Sequence, residues 1–449
     1  MYGQSRVEDR RTFISATTQT TDDPRRVPVP PGARGPEGVL VLRGGRIFDA
    51  VKAEAYLGTV VIERNRIRAI LPPEATDWPA NAKVLDVSGK TVMPGLIDMH
   101  VHVTYPNRDT PIDEQASEGA GVLRGLTHLR YFIENGITTV RDLGGVLNAP
   151  YLLAEWMAQN RAPGPRLFVA GHIITGTGGH AAERPISATH TPSFTREANG
   201  PDDWRKAVRE TFKEGASVIK LASYFSPDEV RAAVEEAHAL GLKVTTHSET
   251  FYIKWAVEAG IDMVEHPLPR SDETIRLMAE HHTASIPTLQ VYENVFDTTG
   301  GYYLLAASGR FSISRQENFD MFKKMKAAGI TMGVGTDTIG DANDYTPNQY
   351  IAELKWFVKG GYTAAGALIA ATRTNAELLD MSDKLGTIEK GKLADVVVVD
   401  GKPDVELNDL QKVDIVIRDG YIEVDHGQIV TPHHIPKPLA KPSPPEDVH

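Results

Sequence analysis

The 449-residue sequence contains no cysteine. That absence excludes disulfides, thiol nucleophiles, iron–sulfur clusters and every cysteine-ligated zinc site, so any bound metal must be held through nitrogen and oxygen. It does not fix a compartment. No stretch reaches the ~18 to 20 uninterrupted apolar residues that a membrane-spanning helix needs, and no membrane partner is expected. Basic residues are outnumbered: 48 against 59 acidic ones leave a formal charge of −11. A nucleic-acid partner, which calls for a basic surface against phosphate, is not expected either. The 41% hydrophobic and 24% charged fractions are those of a folded soluble chain and exclude disorder throughout.

Residues 1–38 have no apolar h-region and are rich in Thr, Pro, Arg and Asp, which reads as a flexible arm or an appended leader. A cytoplasmic location is slightly favoured, with a processed secreted form left open. Residues 432–449 form a Pro-rich tail expected to be extended. Short β-type runs punctuated by Gly and Asn fill 39–90 and return in 386–431. Such flanks build one β-sandwich domain only if 91–385 folds as an insertion with adjacent ends.

Within 91–385, short apolar runs alternate with helical segments: GLIDMHVHV, GITTVRDLG, PRLFVAGHIIT, SVIKLAS, LKVTTHSE, DMVEHP, ASIPTL and ITMGVGTD. Eight such alternations predict an α/β chain, a (β/α)8 TIM barrel inserted into a small discontinuous β-sandwich, with its chemistry at the strands' C-terminal ends. The segment YIAELKWFVKGG places Ile351, Leu354 and Phe357 on one side at helical spacing, which core packing explains.

The ends of these runs carry polar residues. Strand alternation sends His100 and His102 of DMHVH to one face, where two imidazoles can share a metal. His247 ends TTHSE, His266 ends VEHP and Asp337 ends GVGTD. Lys220 lies inside SVIKLAS, and a lysine buried in a strand tends to lose its proton. A neutral amine can then take up carbon dioxide as a carbamate able to bridge two cations. Packing explains any one of these residues; six together at strand ends it does not.

VMPGLIDMHVHV, VIKLAS, VTTHSE, VEHP and GVGTDT together resemble the metal-dependent amidohydrolase superfamily, and GTIEKGKLADVVVVD resembles its C-terminal β-sandwich return. The resemblance implies that His100, His102 and Asp337 hold one divalent ion and His247 and His266 another, with carboxylated Lys220 bridging them. Zinc is the usual occupant of such sites, although manganese, cobalt or iron suits the same ligands. Two cations make hydroxide available from a bridging water and polarise the substrate carbonyl. Asp337 is the expected catalytic residue, orienting that water and moving its proton to the leaving amine.

GHIITGTGGHAAERP resembles the branch of Zn-dependent prolidases, Xaa-amino-acid dipeptidases and ochratoxin-type amidases, which implies that His180 contacts substrate. Tyr224, just after Lys220, is the second candidate contact, although the chain lacks the longer Gly-Gly segment that many relatives carry there. Arg141 and Arg270 could each grip a substrate carboxylate, with surface ion-pairing the favoured state of both. His172 is placed in or beside the third strand. His128, His238, His281 and His282 read as packing or solvent residues, and His190 belongs to a long loop. The expected activity is binuclear, metal-dependent hydrolysis of an amide bond in a dipeptide or N-acyl amino acid, by attack of a metal-bound hydroxide. Hydrolysis of a cyclic amide, as in an imidazolonepropionase, or of an ester is the alternative. A non-catalytic binding or assembly protein is the remote one, because such relatives commonly lose metal ligands. The partner is a small amide substrate, and a homo-oligomer is expected.

Overall fold

A computed structural model of the chain describes residues 35–106, 117–182, 194–299, 314–338 and 347–430. His190, the tail and nearly all of the N-terminal arm lie outside the described residues. Five strands open the chain: β1 (Val39–Ile47), β2 (Tyr56–Glu63), β3 (Arg66–Leu71), β4 (Lys83–Asp86) and β5 (Thr91–Pro94). Nine more follow: β6 (Leu96–Val101), β7 (Ile137–Asp142), β8 (Arg166–Val169), β9 (Ile173–Thr175), β10 (Thr195–Glu197), β11 (Val218–Ala222), β12 (Lys243–His247), β13 (Met263–Glu265) and β14 (Ala284–Ile286). Four close the chain: β15 (Val396–Val399), β16 (Val413–Arg418), β17 (Tyr421–Asp425) and β18 (Gln428–Ile429).

The first and last groups share one nine-stranded sheet, in the order β18-β17-β16-β15-β5-β1-β2-β3 with β4 beside β1. The seam is the antiparallel pairing of β5 with β15, Val396 opposite Pro94 through Val399 opposite Thr91. β15 reads Val-Val-Val-Val because both of its faces are buried. Val396 and Val398 pack with Leu42, Val60 and Val92, whereas Val397 and Val399 join the core that extends to the middle strands.

Those middle strands run parallel, as β6-β7-β8 and β10-β9-β11-β12-β13-β14, with helices between them. Backbone bonds join the two groups. Ser217 N–H donates to the Val169 carbonyl at 2.9 Å on one side. On the other, residues 331–338 lie between β14 and β6: Gly333 N–H donates to the Ser285 carbonyl at 3.0 Å, and Asp337 N–H to the His100 carbonyl at 2.7 Å. This α/β arrangement of parallel strands is consistent with a TIM-barrel-type domain.

Two expected strands differ. PRLFVAGHIIT is divided into β8 and β9 by a bend at His172. ITMGVGTD is not a continuous strand: within it Met332 alone forms a ladder bridge, to Ser285, and Thr338 just beyond it bridges to Val101. Its neighbours close in on it: a Cβ at Gly335 would lie 2.6 Å from Ile286 Cγ2 and 2.9 Å from His100 N, so only glycine fits. Asp337 then turns the chain at φ 54°. Serine caps fix where helices begin beyond the strand ends, Ser226 in a reciprocal box with Glu229 and Ser271 through Thr274 N–H. Helix Pro347–Lys359 buries Ile351, Leu354 and Phe357, as the spacing predicts. Among the described residues, no helix is long and apolar enough to cross a membrane.

Candidate active site

His100 projects from β6 and His102 from just beyond it, while Asp337 comes from the 331–338 segment beside them. All three are buried, and one potential ligand atom from each lies within 4.8 Å of the others. The Asp337 carboxylate oxygen is 3.4 Å from His100 Nε2 and 3.2 Å from His102 Nε2. The opposite ring nitrogens are occupied. His100 Nδ1 is 2.8 Å from Glu265 Oε2, and His102 Nδ1 is 2.9 Å from the Gly144 carbonyl. A carboxylate and a carbonyl only accept, so each Nδ1 carries a hydrogen and each Nε2 is the ring atom left to meet a cation.

His247 and His266 adjoin this cluster. Their ring centroids are 4.4 Å apart, and His266 is 4.9 Å from His100. The Thr288 hydroxyl holds His266 Nδ1 at 2.7 Å. Burial, reinforced by neighbouring imidazoles and Lys220, pushes the pKa of His100, His247 and His266 well below the ordinary histidine value and keeps them neutral. Burial raises the Asp337 carboxyl, but its combined interactions with His100, His102 and the Lys220 ammonium outweigh this and hold it below its usual range. His266 and Asp337 sit at φ 66° and 54°, a left-handed region that costs non-glycine residues about 1–3 kcal/mol each and recurs at functional sites.

Lys220 lies inside β11, fully enclosed, across from Thr245 of β12. Burial lowers its amine to about 8, against the opposing pull of Glu265 and Asp337. His180 is half-buried and stacks face to face on His247, with centroids 3.6 Å apart and planes 8° apart. Tyr224 is half-buried at φ 76° and faces Tyr252 at 5.7 Å. His172 occupies the bend between β8 and β9, outside the cluster just described. His281 and His282 are exposed. His128 and His238 are buried, His128 against the Val103 carbonyl and His238 against Asp262.

The surface ion-pairing expected of Arg141 and Arg270 is overturned, because both are buried. Arg141 points from β7 into the strand layer, donating to Glu265 Oε1 at 2.6 Å and to the Met99 carbonyl at 2.6 Å. Arg270 folds back onto its own turn, donating to the carbonyls of His266 at 2.6 Å and Leu268 at 3.1 Å, with the sulfurs of Met278 and Met325 alongside. Their donors are committed to the protein, so neither is presented to a substrate carboxylate.

Sequence reasoning missed the residues behind the cluster. Glu265 bridges His100, Arg141 and the Thr245 hydroxyl, and its only signal was adjacency to His266 in VEHP. Asp98 accepts from Thr336 N–H at 3.0 Å and Thr336 Oγ1 at 2.7 Å; burial raises it to about 7 despite these bonds. Asn375 donates to the Ile97 and Val334 carbonyls and accepts from Val334 N–H. Together Asp98 and Asn375 tie the Asp337 segment to β6.

Residues 91–422 match the amidohydrolase family. The chain belongs to that family. As an amidohydrolase it is a hydrolase acting on carbon–nitrogen bonds. It is 26% identical over 350 residues to ochratoxinase of Aspergillus niger, across 70% of each chain. A crystallised amidohydrolase is 33% identical, with a TM-score of 0.77 over 86% of this chain and 99% of that one. A prolidase crystallised with N-methylphosphonate-L-proline is 29% identical, with a TM-score of 0.77 over 86% of this chain and all of the other.

Proposed function

We propose that the chain is a binuclear amidohydrolase cleaving the amide bond of a dipeptide or N-acyl amino acid. In this reading residues 91–385 form a closed (β/α)8 barrel inserted into a β-sandwich built from 39–90 and 386–431. The observation that carries it is the convergence of His100, His102 and Asp337, with ligand atoms within 4.8 Å of one another and the His247–His266 pair beside them. Nitrogen and oxygen donors, with Nδ1 of His100, His102 and His266 already engaged, fit divalent zinc. His100, His102 and Asp337 would hold one ion and His247 and His266 the other.

Lys220 would bridge the two as its carbamate: the neutral amine forms a nitrogen–carbon bond to carbon dioxide and loses a proton, leaving two oxygen ligands. When bound, the ions supply Lewis-acid polarisation of the amide carbonyl and ready a water to attack it. Asp337, held below the usual carboxyl range, would orient a water, accept its proton at a carboxylate oxygen and return it to the departing amine. His180, stacked on His247, and Tyr224, held just past Lys220, are the proposed substrate contacts. The likeness to prolidase and ochratoxinase supports a substrate in which an acyl group is joined to an amino acid.

The test is a panel of dipeptides and N-acyl amino acids assayed with the wild type and Asp337→Asn. Wild-type turnover of panel members, with kcat for Asp337→Asn lowered by about 10² or more at retained metal content, is the expected result. Full turnover by Asp337→Asn, or uniform inactivity of the wild type, would contradict the proposal.

A further inference from the structure

The rim beside His102 carries an arrangement that amide hydrolysis itself leaves unused. The Tyr105 ring stacks on the His102 imidazole, with centroids 4.3 Å apart and planes inclined by 18°. Phe194 lies against Tyr105 at 4.6 Å and 37°. Both residues are half-buried.

Both are anchored from behind. The segment carrying Tyr105 is held where the Thr104 carbonyl accepts from Arg124 Nη2 at 3.0 Å and the Thr104 hydroxyl accepts from Val146 N–H at 2.9 Å. Phe194 is fixed through its carbonyl, which accepts from Ile173 N–H of β9 at 2.9 Å. Gly144 makes the room: a Cβ there would lie 2.7 Å from the Tyr105 hydroxyl. The same residue orients His102 through its carbonyl. The geometry that aims a candidate ligand therefore also admits the ring beside it.

We propose that Tyr105 and Phe194 form an apolar subsite receiving an aromatic or bulky aliphatic side chain next to the scissile amide. This rests on the amide-hydrolase reading above. Rings whose backbone segments are hydrogen-bonded to neighbouring elements gain offset or edge contacts with an incoming ring at reduced ordering cost. A carboxylate side chain placed there would lose its hydration without meeting a cation on either ring, and the Tyr105 hydroxyl is turned toward Gly144. The subsite thus selects hydrophobic over acidic or side-chain-free substrates.

The test compares kcat/KM for Gly-Phe and Phe-Gly with Gly-Asp, Asp-Gly and Gly-Gly, together with calorimetric binding of free L-phenylalanine and glycine to the metal-loaded protein. At least one phenylalanine dipeptide should exceed the glycine and aspartate ones by about tenfold, and L-phenylalanine should bind about tenfold tighter than glycine. Phe194→Ala, which replaces a ring away from the candidate metal ligands, should reduce both preferences severalfold, mainly through KM, at unchanged metal content. Equal binding of the two amino acids, or preferences untouched by Phe194→Ala, would overturn the subsite. Selective L-phenylalanine binding without turnover of any dipeptide would uphold the subsite and contradict only the hydrolase reading.

Discussion

Glu265 holds His100: its Oε2 accepts from His100 Nδ1 at 2.8 Å, while Oε1 meets Arg141 Nη2 at 2.6 Å, all fully buried. The carboxylate both fixes the imidazole and neutralises a fully buried arginine. Glu265→Gln should weaken metal binding by about 10- to 100-fold, because the Nδ1 partner of a ligand sets its orientation and basicity. Glu265→Ala should also destabilise the fold by about 3–5 kcal/mol by leaving a buried guanidinium uncompensated. Metal titration and denaturant unfolding check the two effects separately; wild-type values in both would contradict the relay.

Arg270 makes a second prediction. Its guanidinium donates to two carbonyls of the His266–Leu268 turn, in which His266 adopts φ 66°. Arg270→Leu keeps the bulk but leaves those buried carbonyls without their donor, a loss of about 1–3 kcal/mol. Urea unfolding should register it, and Arg270→Lys should recover part of it. A stability for Arg270→Leu within a few tenths of the wild type would contradict this function of the side chain.

What the sequence made legible follows from period and position. Alternation along β6 put His100 and His102 on one face, and the run Val396–Val399 read as strand because both faces are buried. The helix at Pro347–Lys359 was legible from Ile351, Leu354 and Phe357. Asp337 could be named, but the broken ladder around it could not, because the need for Gly335 arises from Ile286 and His100, residues distant in sequence. Arg141 and Arg270 misled for the same reason. Their charge argued for the surface, and only three-dimensional contact shows Glu265 beside Arg141 and two carbonyls accepting from Arg270 inside.

Glu353 gives the pH dependence. Its oxygens accept from the N–H groups of Leu289 and Gln290, yet burial raises its carboxyl from 4.5 to about 8. Between those values the folded state keeps a proton that the unfolded chain has released, so stability is greatest below pH ~4.5 for this group and declines as pH rises through about 8. The slope is at most about 1.4 kcal/mol per pH unit. Unfolding across pH 5–8 should be less steeply pH-dependent in Glu353→Gln than in the wild type; identical profiles would contradict the assignment.

The binuclear centre itself is tested most directly by counting metal ions in protein purified without chelators, for the wild type and Lys220→Ala. About two divalent ions per wild-type chain, with loss of both or all but one in Lys220→Ala, is the predicted result. A wild type that binds no ion, or Lys220→Ala that retains the full complement, would contradict it.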